Sequence, residues 1–147
     1  MGACATAPVH DMSPARSDYA SVHAPYQTHT HALLRTVAGF LFLGHGMSKL
    51  LGIPTPPPPR APPFVIYVGG GVELVTGALA MLGLFTPWAA FLASGEMAFA
   101  YWLAHGTRAL LPMQNQGELA VLYCSVFLFI AAHDPGRWSV GAGRGSP

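Results

Sequence analysis

Four apolar blocks follow residue 31, and each is about as long as a helix that crosses a bilayer. They run over 32–51, 64–85, 88–105 and about 117–132. A transmembrane helix needs roughly 20 residues to cross a hydrocarbon layer of ~30 Å. The first two blocks meet that length, and the other two lie at its short end. In lipid every backbone N–H and C=O must be paired inside its own segment, so such blocks are helices. The expected fold is all-α, a transmembrane four-helix bundle over 32–133. A flexible N-terminal tail (1–31) precedes it and a short C-terminal tail (134–147) follows.

Composition agrees with lipid as the solvent. The chain is 52% hydrophobic and 9% charged, where a soluble domain carries roughly 25% charged residues. A net charge of +1 excludes a nucleic-acid partner, which needs clustered positive charge to meet phosphates, and it excludes an acidic disordered chain. Cys4 and Cys124 lie far apart, which offers no disulfide framework, zinc ribbon or CxxC pair.

The breaks between blocks are chemically clear. Residues 53–63 hold seven prolines, which cannot feed a helix ladder, so this proline-rich loop joins helices 1 and 2 as an extended connection. Thr86-Pro87 makes a tight turn with Pro87 suited to a first helical position. Residues 106–115 link the third block to the fourth.

The N-terminal segment lacks the apolar stretch of a secretory signal peptide. Its start, Met1-Gly2-Ala3-Cys4-Ala5-Thr6, fits the loose myristoylation pattern with Cys4 placed for a second lipid. His10, His23, His29 and His31 lack a spacing that fixes a coordination geometry, so no metal site is expected. Four spans put both termini on one side. Arg16, Arg137 and Arg144 lie there, against Arg60, Arg108 and the helix-end Lys49 on the other. The excess leans toward cytoplasmic termini.

Each ionisable group inside a bilayer costs about 2.5–3.5 kcal/mol on insertion scales and asks for a reason. Arg35, Ala38, Phe42, His45 and Lys49 form one stripe of the first helix. Glu73 lies in the second helix, one turn from Gly69 and Gly77, and small neighbours let another backbone come close. Glu96 lies in the middle of the third helix and Glu118 opens the fourth. Tracing depth through alternating helices gathers Lys49, His105, Arg108, Asn115 and Glu118 at one face, with His45 a turn deeper and Glu73 and Glu96 deeper still. Lys49 or His45 is the natural partner for Glu73. The expected intramembrane polar pocket therefore comprises Arg35, His45, Lys49, Glu73, Glu96, Tyr101, His105, Asn115 and Glu118.

Three roles fit such groups. They can act as inter-helical glue, line a pocket for a quinone, a thiol compound or another small molecule, or carry protons or ions. Haem is disfavoured, because His45 and His105 do not face each other at one depth. Cys124, among apolar neighbours, reads as packing. Trp88, Tyr101, Trp102 and Trp138 read as interface aromatics, with a Tyr101–His105 hydrogen bond as the alternative for Tyr101. The residues single out no particular catalytic set and leave the question of enzymatic activity open.

These residues resemble a known family. Leu34-Arg35, then His45-Gly46-Met47-Ser48-Lys49-Leu50-Leu51-Gly52, Glu73-Leu74-Val75-Thr76-Gly77, Leu82-Gly83-Leu84-Phe85-Thr86, Gly95-Glu96-Met97, Ala100-Tyr101 and His105 come in that order. Pro112, Asn115, Gly117-Glu118-Leu119-Ala120, Leu122-Tyr123 and Pro135-Gly136-Arg137-Trp138-Ser139 continue it. Together they are similar to the DoxX family of integral membrane proteins. Asp134, where the family usually has glycine, and Gly141, where it usually has an acidic residue, depart from the pattern.

The resemblance implies a four-helix protein of the bacterial inner (plasma) membrane, tied to oxidoreductase systems that include sulfur-compound oxidation coupled to quinone. The leading expectation is a membrane subunit of a redox or respiratory-type complex, with quinone as the possible bound cofactor. Its partners would be the lipid bilayer and other membrane subunits or a homo-oligomer. The alternatives are a non-catalytic accessory subunit of a larger assembly and a small-molecule or proton transporter.

Overall fold

The structure, a computed structural model, describes residues 14–57, 59, 61–133, 136 and 138–140, with side chains from Tyr26 onward. Within these residues the chain is all-helical. α1 spans Pro14–Leu51, α2 Gly70–Leu82, α3 Thr86–Tyr101, α4 Pro112–Asn115 and α5 Glu118–Ala131. A π-helical turn over Val65–Gly69 leads into α2, and another over Trp102–Gly106 leads out of α3. α4 is a single turn, so four long helical stretches carry the fold.

α1 already begins at Pro14, inside the segment expected as a flexible tail. Proline suits a first helical turn, where its missing N–H has no intrahelical partner to lose. Once α1 is held by packing farther along, extending it adds one hydrogen bond per residue without a new nucleus. The lipidation motif with Cys4, and His10, lie outside the described residues, as do the His23 and Arg16 side chains and Arg60, Asp134, Arg137, Gly141 and Arg144.

α1 and α2 run antiparallel and pack through glycines. Gly39 and Gly46 stand seven residues apart on α1, as do Gly70 and Gly77 on α2. A Cβ on Gly46 would lie 2.5 Å from the backbone N of Leu74, and one on Gly77 would lie 2.5 Å from the backbone N of Leu43. Only bare backbone fits such a crossing, and a seven-residue period keeps the seam facing its partner along both helices.

The other closely packed pair is α3 with α5, with α2 beside α3. α3 contributes the small buried side chains Ala89, Ala90, Ala93 and Ser94. Ser94 Oγ donates to the Cys124 carbonyl at 2.8 Å, so this contact uses the backbone of Cys124 as well as its bulk. Phe42 of α1 packs on Phe127 and Tyr123 of α5, with ring centroids 4.7 and 5.5 Å apart. These rings close the bundle. Facing outward are large apolar side chains such as Phe40, Val75, Phe91, Leu92, Phe99 and Leu122, all at least half exposed. Val65–Leu82 is the helix among the described residues that is long and apolar enough by itself to cross a membrane.

Candidate functional site

The polar groups of α1 act at opposite ends of the α1–α2 seam. Arg35 and Lys49 share a stripe, but fourteen residues of helix separate them by ~21 Å. Arg35, fully buried, reaches the C-terminus of α2. A helix leaves its last carbonyls without internal partners. Here Leu79 O accepts from Leu84 N, and Ala80 O from Gly83 N and from Arg35 Nη1. Met81 O also accepts from Arg35 Nη1 at 3.1 Å, Leu82 O from Val140 N, and Gly83 O from Ser139 Oγ. Arg35 Nη2 donates to Trp138 O at 3.2 Å. Gly83 takes the left-handed conformation that ends the helix (φ 73°). Arg35 is therefore removed from the expected pocket. It is a cation on the negative end of a helix dipole, and it clasps the segment after α5.

At the other end Lys49, Glu73 and Glu96 meet. Lys49 Nζ donates to Glu73 Oε1 at 2.7 Å, joining α1 to α2. Glu96 comes in from α3. A Cβ on Gly69 would sit 3.2 Å from Glu96 Oε1 and 3.7 Å from Lys49 Nζ, so the bare glycine leaves room for both groups. Glu73 Oε2 and Glu96 Oε2 are buried with no hydrogen-bond partner among the described residues. His45, a turn before Lys49, lies close enough to Glu73 to act on it electrostatically. The His45 ring meets Tyr123 edge-on at 5.8 Å.

Beside this cluster is a narrow cleft of about 100 Å³. Lys49 and Glu96 are its charged lining groups, and its walls are apolar, among them Phe64, Val68, Phe99 and Leu103. Both π-helical turns border it, one through Val65, Val68 and Gly69 and the other through Leu103 and Ala104. A π turn inserts a residue into the helical register and widens the groove beside it, and such turns are frequent at functional sites.

The remaining expected residues form a separate clasp in the α3–α5 connection. Tyr101 Oη donates to Leu110 O at 2.8 Å. Asn115 Nδ2 donates to Tyr101 Oη and to Ala109 O, while Asn115 Oδ1 accepts from Gly117 N at 2.8 Å. His105 Nδ1 lies 3.0 Å from Asn115 O, and its ring stacks on Tyr101 at 6.5 Å. Tyr101 is thus a buried anchor rather than an interface aromatic, and its hydroxyl bonds Leu110 rather than His105. Glu118 is exposed in the first turn of α5, where a carboxylate suits the positive helix end, so it leaves the pocket too.

Tyr123 belongs with the cluster and was missed. Its ring touches His45 and Phe42, and it is close enough to feel the Glu73 charge. Within an apolar block nothing in the sequence separates it from core aromatics such as Phe127. The glycine seam was missed as well, although the shared seven-residue spacing of its two glycine pairs is a readable signal.

The described residues are all-helical, with large apolar side chains facing outward and a few charged groups turned inward, a pattern found in the class of α-helical membrane proteins. Within that class the family model described as DoxX matches residues 30–106. A Haemophilus influenzae protein described as uncharacterized is 38% identical over 110 residues, covering 71% of this chain and 82% of the relative. No solved structure matches. The chain belongs to the DoxX family and is a DoxX-like membrane protein.

Proposed function

We propose that the chain crosses a bacterial inner membrane as a four-helix bundle with cytoplasmic termini. In this reading it serves as a membrane subunit of a redox complex linked to quinone or sulfur compounds, and the Lys49–Glu73–Glu96 cluster receives the polar head of a small lipophilic molecule. One observation carries this reading. Glu96 offers an unpartnered carboxyl oxygen beside Lys49 at an apolar cleft. A buried acceptor without a donor is costly, and a quinol hydroxyl supplies a donor while its tail lies along Phe64, Phe99 and Leu103. Lys49 can donate to a quinone carbonyl from the same place.

The test is purification from native membranes in mild detergent. Co-purifying quinone or redox subunits, and binding of a short-tailed quinone weakened about tenfold in Glu96→Gln, support the reading. A lipid-only protein that binds no quinone, holds no partner and accepts electrons from no donor overturns it.

The direct Lys49–Glu73 ion pair across the tightest helix pair favours a second reading, an accessory subunit whose charges only fix packing. Under it, Glu73→Gln and Lys49→Met lower assembly but leave activity per assembled complex unchanged.

A further inference from the structure

A second group of side chains lies at the other end of α1, ~27 Å along the helix from Lys49. We propose that His31 and His133 form a two-imidazole site for a first-row transition-metal dication, with copper(II) bound most tightly. His31 lies on α1 and His133 just after α5, and their ring centroids are 5.6 Å apart with planes inclined at 35°. Two imidazoles on one ion, with metal–nitrogen bonds of ~2.0–2.1 Å, put their centroids about 5 Å apart at a tetrahedral angle and about 6.4 Å apart at a linear one. The observed separation falls between these limits, so the two rings already stand at the spacing one shared ion requires.

The surroundings orient the ligands. His133 Nδ1 lies 2.7 Å from the Phe129 carbonyl oxygen, so Nδ1–H donates there and Nε2 carries the lone pair. A backbone carbonyl on the distal nitrogen is the usual way a metal-binding histidine is held. The Phe129 ring backs both imidazoles, with centroids 4.1 Å from His133 and 5.9 Å from His31. Both histidines line a pocket of about 440 Å³. Gln27, one turn before His31, lines the same pocket. Among the described residues no three His, Cys, Asp or Glu side chains converge. The site is therefore open, with two nitrogens from the protein and the rest of the shell from solvent, an amide oxygen or an exogenous ligand. Affinity of nitrogen sites for divalent ions peaks at copper. Bound metal would tie α1 to the end of α5, where few other contacts join the two helices.

The experiment uses the full chain in mild detergent without a polyhistidine tag, titrated with copper(II) and zinc(II). Expected are one equivalent of copper with the electron-spin signature of two imidazole nitrogens, and a rise in melting temperature with zinc. His31→Phe and His133→Phe, which keep an aromatic ring against Phe129, should each weaken binding at least tenfold. A chain with His10→Ala, His23→Ala and His29→Ala should bind unchanged. Binding that survives both phenylalanine variants, or that is lost in the alanine variant, overturns the proposal. Histidine modification of the unaltered chain gives an answer independent of folding. Metal should protect His31 and His133 from diethyl pyrocarbonate, and equal labelling with and without metal overturns the site.

Discussion

Arg35 and Glu96 are both ionisable groups within a mostly apolar bundle, yet their surroundings differ in kind. Around Arg35 every carbonyl that α2 leaves from Leu79 to Gly83 accepts a hydrogen bond. Around Glu96 one carboxyl oxygen of its own and one of Glu73 are buried without a donor. The first region is a closed fastener, because a buried helix end needs a partner for each of the carbonyls it leaves over. The second keeps hydrogen-bonding capacity in reserve, as a binding site requires and a fastener does not.

That contrast sets the order of expected effects. Arg35→Met removes the donor to Met81 O and one of the two donors to Ala80 O and frees the segment around Trp138, with an expected loss of about 3–5 kcal/mol as for other broken buried charge networks. Unfolding in detergent measures it, and the released segment should become sensitive to protease. If Lys49→Met proves more damaging, the assignment of fastener and reserve is reversed. Lys49→Met leaves Glu73 buried without its cation and should cost on the order of 3 kcal/mol, with Glu73→Gln costing less because the Lys49 left behind is partly exposed and still has Glu96 beside it.

Gly77→Ala tests the seam that brings both ends into place. Its methyl would meet the Leu43 backbone at 2.5 Å, and overpacking of this kind costs about 1–3 kcal/mol. Gly95→Ala, with open space around it, is the control and should leave the melting temperature unchanged. Glu96→Gln should change stability least, within about 0.5 kcal/mol, since its Oε2 holds no partner to lose. Its effect should appear in ligand binding, and a large loss of stability in Glu96→Gln would make Glu96 one more fastener.

The sequence by itself determined the helices and the short list of charged groups between them. Apolar length, the proline run at 53–63 and the Thr86-Pro87 turn are local signals, and backbone pairing in lipid turns them directly into helices. It also named Lys49 or His45 as the partner of Glu73 and set Glu96 at the depth of Glu73. What only the tertiary structure decided is the sorting of those groups. Arg35 shares a stripe with Lys49, and His105 and Asn115 are expected at one membrane face with it, yet neither set joins its cluster. Periodicity gives a residue's direction around its own helix, but not the rotation and offset of the neighbouring helix. Here the backbone contacts at Gly39, Gly46, Gly70 and Gly77 fix that offset. They set the end of α2 against Arg35 and Glu73 against Lys49, leaving Gly69 as the gap through which Glu96 enters.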